Sequence, residues 1–300
     1  MAPLSTPIVL FIFNRPDTTR QVLAAIRQVE PKTMFVVADG PRADHPNDEA
    51  NCAQTRALIQ QIDWDCRVLM RDSATNLGIK SQIEAGLAWV FSLVEYAIVL
   101  EDDCIPHPDF FYFCEELLKR YWDEPSIMTI SGEGGFSSAF SASYEFSRYS
   151  LTWGWATWRR AWQHYDATMS RWLTLQDSTW LSKFLQDPYA TEYWFRIFQV
   201  NHKSLENWDY AWVLSSWLRD GISIIPKVNL VSNIGFRADA THTKDVLSRM
   251  ANRPVESLGL PLEHPSKVLR NSELDRKIEE EKFSGEIIKN LFAKLRSRRQ

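Results

Sequence analysis

The run YAIVLEDD ends on three adjacent carboxylates, Glu101, Asp102 and Asp103. Neighbouring acids raise one another's proton affinity unless a positive charge lies among them. Hard divalent cations take oxygen ligands, and Mg²⁺ or Mn²⁺ is commonly held by one or two carboxylates together with substrate phosphates. The plainer reading is a cap for the next helix, whose N-terminus favours negative charge. Three acids exceed what a cap requires, and Pro106-His107-Pro108 sets them apart from the helical PDFFYFCEELLKRYW, so a metal role is favoured. Asp39-Gly40, after FVVA, can accept hydrogen bonds from a nucleobase or ribose, or simply make a tight turn. Arg15 and Lys80 are cations of the kind that face a diphosphate, and each alone reads as readily as a solvated surface charge. Trp153, Trp155 and Trp158 offer faces on which sugar rings stack, although most tryptophans in such a chain are core.

Scattered residues become a site only if the elements around them converge. PIVLFIF, KTMFVVA, YAIVLE and SIMTIS are strands by their apolar runs and turn-forming ends, and CRVLM is a short strand running into a turn. Between them TTRQVLAAIRQV, NDEANCAQTRALIQQI, IKSQIEAGLAWVFSLV and PDFFYFCEELLKRYW carry helical spacing. This alternation over residues 7 to 132 predicts an α/β fold with a mostly parallel central sheet flanked by helices. Asn14-Arg15, Asp39-Gly40, Asn76-Leu77-Gly78 and the acid triplet all follow strands. Ligands of open α/β sheets bind outside the carboxyl ends of strands, which predicts one shared site. Later, NWDYAWVLSSWLRDG reads as a helix opening near Asp209, and ISIIPKVNLVSNIGF as a late strand and turn.

The 300 residues form one domain to about residue 245, with a lean part over about 1–135 and an aromatic part over about 136–245. Eleven of the thirteen tryptophans lie between Trp122 and Trp217, which marks that division. A polar, helical extension covers 246–300. Its basic amphipathic end, EEKFSGEIIKNLFAKLRSRRQ, reads first as a helix packed on the domain or a second subunit, and second as a peripheral membrane contact. A formal charge of −4 predicts no broad basic face and no nucleic-acid partner. Four cysteines without a C-x-x-C pair fit reduced thiols in a cytoplasm. The apolar N-terminal run has no basic residue before it and reads as a strand rather than a signal peptide.

The segments IVLFIFNRP, FVVADGPR, NLGIKSQIEAGLAWVF, YAIVLEDDCIPHPDFFYF, SLTWGWATWRRAW, NWDYAW and ISIIPKVNLVSNIGF…THT come in an order that resembles nucleotide-sugar glycosyltransferases of the GT-A fold, a Rossmann-like architecture. The likeness is nearest to the N-acetylglucosaminyltransferase I type and related bacterial enzymes. It covers residues 7 to about 243 and implies a role for each matched residue. Asp103 would bind the metal, Mn²⁺ or Mg²⁺, while Asp102 and Glu101 contact the nucleotide-sugar. Asp39 would hold a uracil, with Arg15 at the nucleotide. Asp209 matches the catalytic base of inverting members, and Trp208 beside it would shape the donor or acceptor pocket. Gly154 and Trp155 match a segment near the donor sugar, and His242 falls in a loop that closes over the nucleotide, toward metal or diphosphate. The implied activity is metal-dependent inverting transfer from a nucleotide-diphosphate sugar, UDP-linked in the family resembled, to a carbohydrate or other hydroxyl acceptor. Two alternatives stand beside it. A sugar-phosphate nucleotidyltransferase needs a glycine-rich loop after the first strand, and NRPDTT lacks the glycines. The other is a non-catalytic carbohydrate-binding relative.

Overall fold

The computed structural model describes residues 3–136, 140–204, 207–236 and 250–283. The first half alternates β1 (Ile8–Ile12), α1 (Pro16–Arg27), β2 (Thr33–Ala38), α2 (Asp48–Ile59), β3 (Arg67–Asp72), α3 (Ile79–Leu93) and β4 (Tyr96–Glu101). A short β5 (Cys104–Pro106) leads into α4 (Pro108–Arg120) and β6 (Ile127–Ser131). Then come β7 (Tyr144–Ser147), β8 (Trp155–Trp158) and the short helices α5 (Arg159–Trp162), α6 (Trp172–Leu175) and α7 (Trp180–Leu185). The chain continues through α8 (Pro188–Ser204), α9 (Trp208–Trp217), β9 (Ile222–Pro226), β10 (Val231–Asn233) and α10 (Ser272–Lys282).

Eight strands form one sheet in the order β3-β2-β1-β4-β8-β6-β9-β7. The pairings β1–β2, β2–β3, β1–β4 and β6–β9 are parallel, while β8 is antiparallel to both β4 and β6, and β7 to β9. Six of the eight strands therefore run the same way, which is the mostly parallel α/β class expected. Side chains alternate across the strands. Ile8, Leu10, Ile12, Met34, Val36, Ile98 and Leu100 face the core under α1 and α4. Val9, Phe11, Phe35, Val37, Ala97 and Val99 face a second core with α3 and α9. A third, aromatic core joins α6 to α9 with Leu274 and Ile278 of α10.

Local chemistry sets where these elements start and stop. Pro16 opens α1 in a position that needs no amide donor. His107 is the N-cap of α4, its Nδ1 accepting from Asp109 N at 3.1 Å. The acid triplet is thus not the cap of that helix, and β5 stands between them. Asn271 caps α10, accepting from the amides of Glu273 and Leu274. No helix among the described residues is long and apolar enough to cross a membrane.

Candidate functional site

A cavity of about 820 Å³ opens along the carboxyl ends of β2, β1 and β4 and runs on past the segment 150–153 before β8 to α8, α9 and the end of α10. Its wall collects all four polar clusters that follow strands: Arg15, Asp39, Asn76-Leu77-Gly78 and Glu101-Asp102-Asp103. Trp208 and Asp209 face it from α9, and Trp153 from the loop before β8.

The acids surround one guanidinium. Arg15 contacts Asp102 Oδ1 at 2.5 Å and Asp103 Oδ2 at 2.8 Å, and Asp102 also accepts from Phe13 N at 3.0 Å. Burial disfavours the charge on Arg15, but Asp102 and Asp103 outweigh it and raise its pKa. Three acids share this one cation. Burial, then Asp103 and Asp102, push Glu101 up to about 8, and the charge of Asp209 adds to that. Burial pushes Asp102 up to about 6 against the pull of Arg15. Among the described residues the centre offers more carboxyl oxygens than one guanidinium can pair, and such hard donors suit an additional divalent cation. Among the described residues no group of three or more metal-ligating side chains is already arranged around a common point. Such a cation would be held by Asp103 with ligand oxygens completing its shell, as carboxylate-plus-phosphate sites do. His242 lies outside the described residues.

β10 supplies the roof. It pairs antiparallel with β5, placing Asn233 opposite Cys104, and Asp103 O accepts from Ile234 N at 2.9 Å. Gly235 then passes so close that a Cβ there would lie 2.0 Å from Asp103 Oδ2. The sequence reads ISIIPKVNLVSNIGF as one strand and a turn, so β10 and its pairing with β5 were not foreseen, and Asn233, Gly235 and Phe236 escaped notice as site residues.

Asp39 is buried, and its carboxylate is occupied. Oδ1 accepts from Gly40 N, Leu77 N and Gln82 Nε2, and Oδ2 from Asn76 Nδ2 and Gly78 N, all at 2.8–3.1 Å. It fixes the 76–78 loop rather than standing free for a base. Beside it Arg42 is held in a fork by Asp48, at 2.6 and 3.0 Å, with its guanidinium carbon 5.3 Å from the Phe13 ring centroid. Lys80 lines the cavity while donating to the carbonyl of Ala167.

Trp155 lies behind the wall, not on it. It is 1% exposed and stacks on Trp208, with centroids 5.5 Å apart. Trp158 is equally buried, and its indole donates to Leu118 O at 3.0 Å. Of the three tryptophans weighed as a sugar platform, Trp153 alone is on the wall. Gly154 adopts φ +63° and its carbonyl accepts from Gly132 N at 2.7 Å, a close approach that leaves no room for a side chain beside Val231. Asp209 sits in the first turn of α9, after Asn207 at the N-cap. Tyr210 beside it is pushed up to about 12 by burial and by Asp209. Lys282 and Phe283, at the end of α10, also reach the wall, and no motif in the polar extension announced them.

No protein-family model matches the chain, and no curated protein matches its sequence. Solved structures match it at low similarity. A mannosyltransferase from Pyrobaculum calidifontis, solved with GDP-Man and Mn²⁺, is 10% identical at TM-score 0.40, over 73% of this chain and 74% of that one. HddC from Yersinia pseudotuberculosis is 9% identical at TM-score 0.31, over 52% and 77%. A 4-diphosphocytidyl-2C-methyl-D-erythritol synthase from Anaerococcus prevotii is 9% identical at TM-score 0.32, over 58% and 79%. Likeness at this level carries no argument about activity.

Proposed function

We propose that the chain is a metal-dependent inverting glycosyltransferase that moves a sugar from a nucleotide-diphosphate donor, UDP-linked by resemblance to the N-acetylglucosaminyltransferase I type, to an acceptor hydroxyl. The supporting observation is one cavity that holds Arg15 with Asp102 and Asp103 at one station and Asp209 at another. The base and ribose occupy the β2–β3 end, against the loop that Asp39 fixes and beside Arg42 and Phe13. The diphosphate lies at Arg15 and Asp103. A divalent cation held there by Asp103 would supply countercharge to the departing diphosphate. Asp209 accepts the proton of the acceptor hydroxyl as its oxygen attacks the anomeric carbon. The bond from that carbon to the diphosphate oxygen breaks on the opposite face, and configuration inverts. Trp208, backed by Trp155, holds the sugar rings in line.

The test is incubation with Mn²⁺ and a panel of UDP- and GDP-sugars, following nucleoside diphosphate with and without neutral glycoside acceptors. Acceptor-stimulated diphosphate release is the expected result. Pyrophosphate release from a nucleoside triphosphate and a sugar phosphate identifies a nucleotidyltransferase instead. Donor binding without turnover across the panel identifies a carbohydrate-binding relative.

A further inference from the structure

Glu133 lies two residues beyond β6 and is 1% exposed. A carboxylate so placed needs partners. One is Lys282, the last residue of α10, whose ammonium pairs with Glu133 Oε2. Another is the amide of Trp153, which donates to Oε1 at 3.3 Å. The Lys282 ammonium also sits 4.1 Å from the centroid of the Trp153 ring. Phe236 meets the same ring edge-on at 5.4 Å. Lys282, Trp153 and Phe236 all line the cavity. The helix from the far end of the chain therefore delivers a cation to the wall, and a buried acid seats it there.

Its place along the sheet edge is informative. Asp39 follows β2, Arg15 follows β1, and Asp103 follows β4, whereas Glu133 follows β6 and Trp153 precedes β8, farther along the same edge. A ligand with its nucleotide toward Asp39 and its diphosphate at Arg15 meets Lys282 with whatever extends beyond the diphosphate. Glu133 neutralises Lys282, and drawing the lysine away leaves a buried carboxylate unpaired, which is strongly unfavourable. Lys282 is thus not a mobile hook for an anion. An ammonium has three donors, so the contacts with Glu133 and the Trp153 face leave one for a ligand.

We propose that Lys282, seated by Glu133 against Trp153, is a specificity-determining residue that donates a hydrogen bond to a hydroxyl of an uncharged sugar ring. The inference rests on the glycosyltransferase reading above. The hydroxyl belongs either to the transferred sugar or to the acceptor, and the experiment separates the two.

Wild type, Lys282→Met and Lys282→Arg are titrated by calorimetry, in Mn²⁺, with UDP and GDP and with their sugar conjugates. If the transferred sugar is the partner, Lys282→Met weakens the nucleotide sugar about five- to tenfold and the bare diphosphate by less than about twofold, the scale of one hydrogen bond. If the acceptor is the partner, both affinities stand and KM for p-nitrophenyl glycoside acceptors rises by that factor with kcat kept. Lys282→Arg, which keeps the pair and the ring contact, recovers most of the loss. Glu133→Gln, which removes the tether but keeps the lysine, loses the same discrimination and serves if Lys282→Met does not fold. Equal weakening of diphosphate and conjugate, or no change in either affinity or in acceptor KM, overturns the inference alone. Wild-type protein that binds no nucleotide overturns the proposed function and this inference with it.

Discussion

Five donors converge on the two oxygens of Asp39, so its first task is mechanical. Asp39→Asn replaces one acceptor oxygen by an amide that faces donors. We expect a loss of about 2–4 kcal/mol in urea unfolding, since buried donors lose their acceptor. An unchanged midpoint with weakened nucleotide binding would instead make Asp39 a base reader. Asp209 has the opposite profile: Asp209→Asn keeps shape but cannot take a proton. Turnover is expected to fall by about 10²–10⁴, the range of general-base catalysis, with donor affinity kept. Retained turnover would remove Asp209 from the role of base. Asp48 yields a pH test. The hydrogen bond from Arg42 holds its carboxyl down to about 2. Because the folded pKa lies below the unfolded one, the stabilisation is present above about pH 4 and lost as pH falls toward 2. Wild type should exceed Asp48→Asn by about 1–2 kcal/mol at pH 6, after screening at the part-exposed Arg42, with the gap closing between pH 4 and 2. A constant gap would contradict the assignment. At this scale the sequence shows which residues are chemical, but not how many donors fill each one. Asp39 and Lys80 were visible as candidates, while the contacts that occupy them come from residues 37 and 87 positions away.

Most of the parallel strands were legible as short apolar runs ended by turn residues, as in IVLFI and TMFVVA, whereas the charged edge strand β3 shows only the short core VLM. β7 and β8 were not. WATW and YEFS are four residues each, and their partners lie across long loops, so nothing local distinguishes them from aromatic core. Yet β8 is what joins the two halves of the sheet, antiparallel between β4 and β6, and it carries Trp153 to the cavity edge. The β5–β10 pair was hidden for the same reason, and it positions the roof over the acids. Gly235→Ala tests that placement. Its methyl would collide with Asp103 Oδ2, which the 2.8 Å contact with Arg15 keeps from moving aside freely. Overpacking of this kind costs about 1–3 kcal/mol, and we expect Mn²⁺-dependent nucleotide binding to weaken more than stability does. Normal binding with only a lowered melting point would place the strain in the loop rather than at Asp103.

Across the whole molecule, the cavity lies where the sheet cores meet the aromatic core, and α10 closes its far side. The division at about residue 245 follows a real change in composition, but periodicity alone does not reveal what a polar helix packs against. The tie is Asp275. It accepts from Ser147 Oγ at 2.6 Å and Arg148 N at 2.9 Å, and it pairs with Arg148 and Arg270 at 3.2 and 3.1 Å. Glu279 adds a contact with the indole of Trp194 at 3.0 Å. Arg148 is itself buried, so removing its carboxylate leaves a cation in the core. Asp275→Ala should therefore cost about 3–5 kcal/mol, the usual result of breaking a buried pair by deleting one partner. In a chain of this size that lowers the melting temperature by on the order of 10 °C. If α10 is part of the site, the loss is not confined to stability. Lys282 and Phe283 come off the wall with the helix, and affinity for a nucleotide sugar should fall at 20 °C, where the protein is still folded. Calorimetric titration alongside a melt distinguishes the outcomes. A lowered melting temperature with unchanged affinity for both diphosphate and sugar conjugate would make α10 a brace and nothing more. A joint fall, larger for the sugar conjugate than for the diphosphate, makes the end of the chain one wall of the site.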